Sequence, residues 1–311
     1  MNESLNTTKI LGTLLLNFFQ IPALIRLLNC EDQLQLTEKS HYKLVIAIMS
    51  APTKPATRQV IRETWLSQRE PGVKHLFIVG TKNLNTEVIA DIEEEQKTYN
   101  DIQILRNFSE SYATLAEKVL ASFYEIELAY NFDFLMKCDD DTYVHVPKLL
   151  YELEKKPQER LYWGYFKGGG AVRRTGKWKE SSWFMCDTYL PYAYGGGYVL
   201  SGDLVKYVAR NRELLQTYNN EDVSVGVWLS PLHVHRVHDV LFDTEYKSRG
   251  CFNSYVVTHK QSPSMMREKH KTWTASGKLC LEEKRERYSY VYNWTVPASQ
   301  CCKGFYNTDL P

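Results

Sequence analysis

The alternation of apolar and polar positions along this chain sets out a regular succession of strands and helices. Residues 41–50, HYKLVIAIMS, form an apolar run that predicts a buried strand, ended by Ser50-Ala51-Pro52. After Pro55, residues 57–66 read as a helix, and 75–80, HLFIVG, as the next strand. An acidic amphipathic helix at 87–98, a short strand at 102–105 and a long helix at 111–130 follow, the last with apolar residues at helical spacing. A second strongly apolar strand, 132–138, ends in three consecutive aspartates, Asp139, Asp140 and Asp141. Beyond them the pattern loosens into Trp-, Tyr- and Gly-rich segments over 161–200, then recovers as helices near 202–215 and 220–229.

Strand and helix alternating in this way predict an α/β fold, a nucleotide-binding type with a mixed, mostly parallel central sheet flanked by helices. Such folds bind ligands beyond the carboxyl ends of their strands. No Gly-x-Gly-x-x-Gly follows the first strand and no phosphate-binding loop ending Gly-Lys-Ser/Thr exists, which disfavours a dinucleotide enzyme or a P-loop NTPase.

With 311 residues and 43% apolar content the chain can build one large globular domain or two closely joined ones. A formal charge of +1 leaves no electrostatic footprint for nucleic acid. The 21 tyrosines suit stacking on sugars, although aromatic cores are the commoner use. Residues 10–28 are apolar but interrupted by Asn17, Gln20, Pro22 and Arg26, and no Ala-x-Ala cleavage site follows. They are expected to be an uncleaved signal-anchor, with 1–9 a cytosolic tail, 29–41 a stem, 42–302 the luminal domain and 303–311 a C-terminal tail; an amphipathic surface helix is the rival. Cys186, Cys251, Cys280, Cys301 and Cys302 crowd the C-terminal half, as an oxidising compartment allows. Adjacent Cys301 and Cys302 are expected to reach different partners rather than each other. Asn107 and Asn293 open glycosylation sequons; those at Asn2 and Asn6 fall on the cytosolic side of the anchor.

Four groups of residues carry candidate chemistry. Three adjacent carboxylates at a strand end repel one another, so either they form a solvated acidic turn or they hold a hard divalent cation that can bridge a diphosphate. Val144 and Leu150 stand where a calcium loop needs Gly and Glu, which removes that reading. Gly195, Gly196 and Gly197 let backbone approach a ligand, or bend a strand. Glu221 and Asp222 open a predicted helix, where acids either complement its dipole or supply a general base. His259, just after a short apolar strand, is a candidate further metal ligand. His233, His235 and His238 read as surface or packing histidines, since no acid follows at metalloprotease spacing.

These elements, in this order, resemble glycosyltransferase family 31, which includes β-1,3-galactosyltransferases, β-1,3-N-acetylglucosaminyltransferases and fringe-like proteins. The similarity spans about residues 42–302 and rests on the Arg58–Trp65 segment RQVIRETW, Lys137-Cys138-Asp139-Asp140-Asp141, the glycine triplet, Glu221-Asp222-Val223 and Thr258-His259-Lys260. Within the family, the segments 161–166, 186–193, 242–251 and 290–294 are most similar to the galactosyltransferases of glycosaminoglycan linker synthesis. The resemblance implies a GT-A fold and an inverting transfer of galactose from UDP-galactose to the 3-hydroxyl of Gal-β1,4-Xyl on a proteoglycan core protein, in the Golgi membrane. An N-acetylglucosaminyltransferase or a non-catalytic carbohydrate-binding relative is the alternative. It further implies Asp222 as the base, Asp141 and His259 as ligands of Mn²⁺ or Mg²⁺, and Asp139 or Asp140 on the nucleotide ribose or reaching the ion through water. Arg58, Arg62, Thr64, Trp65 and Lys118 would line the nucleotide pocket, and Trp163, the three glycines, Tyr198 and Glu221 the sugar sites. Cys138 would be a buried free thiol.

Overall fold

The computed structural model describes residues 39–302. The expected tail, anchor and C-terminal tail, most of the stem, and the sequons at Asn2 and Asn6 lie outside the described residues. Among the described residues no helix is long and apolar enough to cross a membrane.

Strand β1 (His41–Met49) leads into helix α1 (Pro55–Glu63), β2 (Val73–Gly80) into α2 (Thr86–Tyr99), and β3 (Ile102–Leu105) through a short 3-10 turn into α3 (Leu115–Ala129). Local chemistry sets the helix ends. Asn85 caps α2 by accepting the Val88 N–H, and Asn100 ends it in the left-handed region at φ 51°. Thr64 leaves α1 earlier than the pattern predicted, its hydroxyl turned back to the carbonyl of Val60 at 2.7 Å.

Strand β4 (Asn131–Asp139) delivers the aspartates, followed by β5 (Tyr143–Val144), α4 (Val146–Leu153), β6 (Leu161–Lys167) and β7 (Tyr192–Ser201). Helix α5 (Gly202–Arg210) is shorter than the 202–215 expectation, because the Asn211 amide donates to the carbonyl of Tyr207 and the chain tightens into a 3-10 turn. Helix α6 (Glu221–Trp228), strands β8 (His235–His238), β9 (Phe242–Asp243), β10 (Gly250–Cys251) and β11 (Val257–Thr258), helix α7 (Pro263–Ser276) and β12 (Lys284–Arg285) complete the chain.

Seven strands form the main sheet in the order β3-β2-β1-β4-β7-β6-β8. All run the same way except β7, antiparallel to both its neighbours, which gives the expected mixed, mostly parallel sheet. Successive residues of β1 feed opposite faces: Leu44, Ile46 and Ile48 join the core that takes in α1, α4 and α7, while Val45, Ala47 and Met49 join the one under α3, α5 and α6. Burial on both faces is why the central strands read as continuous apolar runs. Because β7 alone is reversed, its first residues, the glycines included, lie at the carboxyl end of β4, with Gly197 opposite Cys138. A small sheet, β5-β11-β9, brings Thr258, and with it His259, to the same end.

Two features differ from expectation. Cys301 is bonded to its neighbour Cys302. Cys251 pairs with Cys280, and among the described residues Cys138 and Cys186 are free thiols. Trp163 is fully buried in β6, its indole N–H donating to Asp239 at 2.8 Å and its ring edge-on to Phe242, so it is packed as a core residue.

The segment that carries β9 and precedes β11 is fastened by Arg249, which is fully buried. Its guanidinium donates to the carbonyls of Val240 and Phe242, to Ser289, and to Asp243. Asp243 in turn accepts the backbone N–H of His259 through its carbonyl. Arg249→Met leaves Asp243 buried without its cation and should cost about 3–5 kcal/mol of stability, read as a lower midpoint in urea denaturation.

Candidate active site

The acidic triplet is distributed rather than clustered. Asp139, at the end of β4, accepts from Lys137 Nζ at 2.8 Å through Oδ1 and turns Oδ2 toward His259 Nε2 at 3.5 Å. Asp140 is buried and takes Lys54 Nζ at 2.8 Å. Asp141 lies 2.9 Å from His259 Nε2 through Oδ1 and accepts from Lys260 Nζ at 3.0 Å through Oδ2. A solvated turn would leave these groups facing water; here each carboxylate is held by a cation.

Asp139, Asp141 and His259 each offer a ligand atom, all within 4.8 Å of one another. His259 Nδ1 bonds the carbonyl of Glu245 at 3.2 Å, which directs Nε2 at the carboxylates, and Nε2 is buried without a well-formed hydrogen bond. Two carboxylate oxygens and an imidazole nitrogen so arranged fit a divalent cation. Electrostatics agree: burial opposes charge on His259, yet Asp139 and Asp141 outweigh it and raise the imidazole to about 9. For Asp139, burial likewise opposes ionisation and Lys137 with His259 overrides it, holding the carboxyl well below its usual range.

Lys137 is the residue that the sequence did not mark out. It is fully buried, and its ammonium reaches Asp139, the carbonyl of Gly195 at 2.7 Å and the carboxylate of Glu221. Glu221 and Asp222 are therefore not helix caps, and Asn220 occupies the cap position of α6. Asp222 accepts the Gly195 N–H at 3.1 Å and the Val223 N–H at 2.9 Å. Burial pushes both carboxyls up against the pull of Lys137, Asp222 to about 6 and Glu221 higher. Tyr112 faces the pair: burial, then the charges of Asp222 and Glu221, raise its phenol to about 12.

Each glycine of β7 is where a side chain would strike a site residue. A Cβ at Gly195 would sit 2.8 Å from Glu221 Oε2, at Gly196 2.5 Å from His259 Nδ1, and at Gly197 3.0 Å from Val257. Thr142 fixes the middle of the run by donating to the Gly196 carbonyl at 2.7 Å. Tyr198 is buried beneath, edge-on to Tyr162 and 5.9 Å from the Lys137 ammonium, and so supports the site from the core.

The α1 residues are engaged elsewhere. Arg58 is buried, its guanidinium on Glu95 at 2.9 Å and on the Ala51 carbonyl at 2.7 Å, bracing the loop after β1. Arg62 pairs with Asp101 and Glu95, and Trp65 joins the apolar core, with Thr64 buried beside it. Lys118 does reach the mouth of the sheet, donating to the Ser50 carbonyl at 2.6 Å and to Glu110. The histidines read as packing residues behave accordingly: His233 bonds Arg160, and His238 accepts the Phe166 N–H at 3.0 Å.

A sheet with an acidic cluster and a separate half-buried carboxylate at its carboxyl edge suits a glycosyltransferase, and the chain's relatives are of that class. The chain belongs to the galactosyltransferase family, whose model matches residues 56–240. It is 45% identical over 267 residues to Beta-1,3-galactosyltransferase 6 of Mus musculus, covering 84% of this chain and 82% of that protein. Hydroxyproline O-galactosyltransferase GALT2 of Arabidopsis thaliana is 30% identical over 72% of this chain and 34% of its own length. UDP-GalNAc:beta-1,3-N-acetylgalactosaminyltransferase 2 of Homo sapiens is 31% identical over 64% of this chain and 39% of its own length.

Gly196→Ala drives a methyl into the His259 ring. The displaced imidazole should weaken binding of a divalent cation by ~10- to 100-fold, measured by titration calorimetry, with the circular dichroism spectrum unchanged.

Proposed function

We propose that the protein transfers galactose from UDP-galactose, with inversion, to the 3-hydroxyl of a Gal-β1,4-Xyl unit on a proteoglycan core protein. The observation that carries this reading is the separation of two kinds of acid at one edge of the sheet. Asp139, Asp141 and His259 form a cation site, while Asp222 stands apart as a half-buried carboxylate with a raised pKa. The 45% identity to a β-1,3-galactosyltransferase favours galactose as donor sugar and the 3-hydroxyl as target.

Asp139, Asp141 and His259 are the residues that would hold the ion, Mn²⁺ or Mg²⁺. When bound, the ion supplies stabilisation of negative charge on the departing diphosphate. The chain's own residues do the rest. Asp222, ionised at neutral pH and fixed by the N–H groups of Gly195 and Val223, takes the proton of the acceptor hydroxyl. As that oxygen bonds to the anomeric carbon from the face opposite UDP, the bond from this carbon to the UDP oxygen breaks and its electron pair leaves with UDP. Lys137 anchors Glu221 beside Asp222, and Asp222, whose pKa is the lower of the two, is the carboxylate left ionised to take the proton. On this reading residues 10–28 anchor the enzyme in a Golgi membrane with the catalytic unit in the lumen, where the Cys251–Cys280 bond is stable.

A donor-by-acceptor matrix with Mn²⁺ present tests the reading: hexose should be added to a Gal-β1,4-xyloside from UDP-galactose. Transfer from UDP-N-acetylglucosamine or UDP-N-acetylgalactosamine alone overturns the donor assignment, and sugar binding with no transfer from any donor overturns the enzyme.

The base assignment has its own signature. With Asp222 at about 6, kcat/KM should be level above neutrality and fall about tenfold per unit below pH 6 as the carboxylate takes up its proton. Asp222→Asn should lose ~10²- to 10⁴-fold in kcat while UDP binding, followed by calorimetry, is kept.

A further inference from the structure

The 24 residues between β6 and β7, 168–191, form a loop with four cations against two acids, Glu180 and the exposed Asp187. Arg173, Arg174, Lys177 and Lys179 are all exposed, and none of them makes an ion pair among the described residues. The acid that follows them, Glu180, is buried and turned inward, accepting from the Asn219 N–H at 2.7 Å and from Ser182. In a chain of net charge +1, four unpaired cations within seven residues are a local excess. Among them stands Trp178, 42% exposed, and beyond them Phe184, 77% exposed, which water alone does not favour.

The loop is also tied to the residues just ahead of Asp222. The carbonyl of Trp178 accepts from the Asn220 amide at 3.2 Å, and that of Lys177 from Asn219 at 3.4 Å. Lys177 lies 4.1 Å over the ring of Tyr112, the phenol that faces Asp222 and Glu221. Trp183 and Tyr189 pack with Tyr218 and Val223 beneath it, so the cations ride on a rigid base rather than a free strand. Through Asn219, Asn220 and Val223 the loop abuts the start of the helix that carries Asp222, and none of its cations pairs with Asp139, Asp141 or His259, so it is assigned to the acceptor rather than to the diphosphate.

We propose that this loop docks an acidic peptide segment of the acceptor, with Arg173, Arg174 and Lys179 meeting its carboxylates. The inference rests on the reading of Asp222 as the base that meets the acceptor. A spread of separate cations matches repeated side-chain carboxylates better than one compact phosphate, and Trp178 and Phe184 between and beside them suit the apolar parts of a peptide. Specificity then has two sources: the sugar at Asp222 and the protein sequence around the attachment point.

The test uses two peptides bearing the same Gal-β1,4-Xyl unit on serine, one flanked by Asp and Glu, the other by Asn and Gln. At low ionic strength kcat/KM for the acidic peptide should exceed that for the neutral one by roughly tenfold, as three exposed ion pairs allow, mostly through KM. The margin should shrink with salt as screening sets in. In Arg173→Ser/Arg174→Ser/Lys179→Ser the margin should vanish, with the neutral peptide and the KM for UDP-galactose unaffected. Equal KM values for the two peptides, or a preference that survives in the variant, overturn the proposal.

Binding of the same two peptides, labelled and followed by fluorescence anisotropy, reports on docking without turnover. The charge-reversed Arg173→Glu/Arg174→Glu/Lys179→Glu should bind the acidic peptide more weakly than the neutral one. If the acidic peptide binds preferentially but neither is galactosylated, the assignment of the reaction fails and the docking surface stands. If both are galactosylated and bind equally, the docking surface fails alone.

Discussion

A single buried ammonium, that of Lys137, holds the functional end of this molecule together. Burying a cation costs several kcal/mol unless it is paired and fully hydrogen-bonded. Lys137 meets the condition by taking two carboxylates, Asp139 and Glu221, and one carbonyl, that of Gly195. Each partner has a further duty. Asp139 presents its other oxygen to His259, Glu221 lies under the glycine run, and the Gly195 peptide offers its N–H to Asp222. The cation site and the carboxylate that stands for the base are thus two ends of one charge network. Neutralising Lys137 would leave two acids buried without a counter-charge and loosen both ends at once.

The topology makes that network possible. Six parallel strands would put only strand ends and loops at the carboxyl edge. The reversed β7 starts there instead, so its backbone passes between the end of β4 and the N-terminus of α6. A strand without side chains at that point brings Glu221 against it from one side and His259 from the other.

Most of the layered fold was legible in the sequence, because strands buried on both faces announce themselves as apolar runs and the helices between them show apolar residues at helical spacing. Asp139, Asp141, Asp222 and His259 stood out as acids and an imidazole at element ends. What was not legible depends on partners distant in the chain. Lys137 sits two residues before the aspartates, where a cation in an apolar strand looks like a solvent-facing interruption; only Glu221, far along the chain, explains its burial. Arg58 and Trp65 belong to a distinctive stretch, yet Glu95 and the apolar core decide where they point. Trp163 had the right chemistry for a sugar platform, but β6 is buried on both faces and packs it into the core. The pairing of Cys301 with Cys302 runs against the expectation that neighbouring cysteines reach different partners, and no spacing rule contains it.

The glycine run has a meaning for how such a protein can change over time. At Gly195 and Gly196 the smallest possible substituent already collides with Glu221 or His259, and at Gly197 it is tight against Val257. Sequence drift there is closed in every direction, so new specificity has to be written elsewhere. The loop between β6 and β7 offers that room: it reaches the reactive edge through backbone carbonyls on Asn219 and Asn220, and its outward side chains can be exchanged without disturbing those two contacts. The molecule therefore separates a part that evolution must leave alone from an adjoining part that it is free to rewrite.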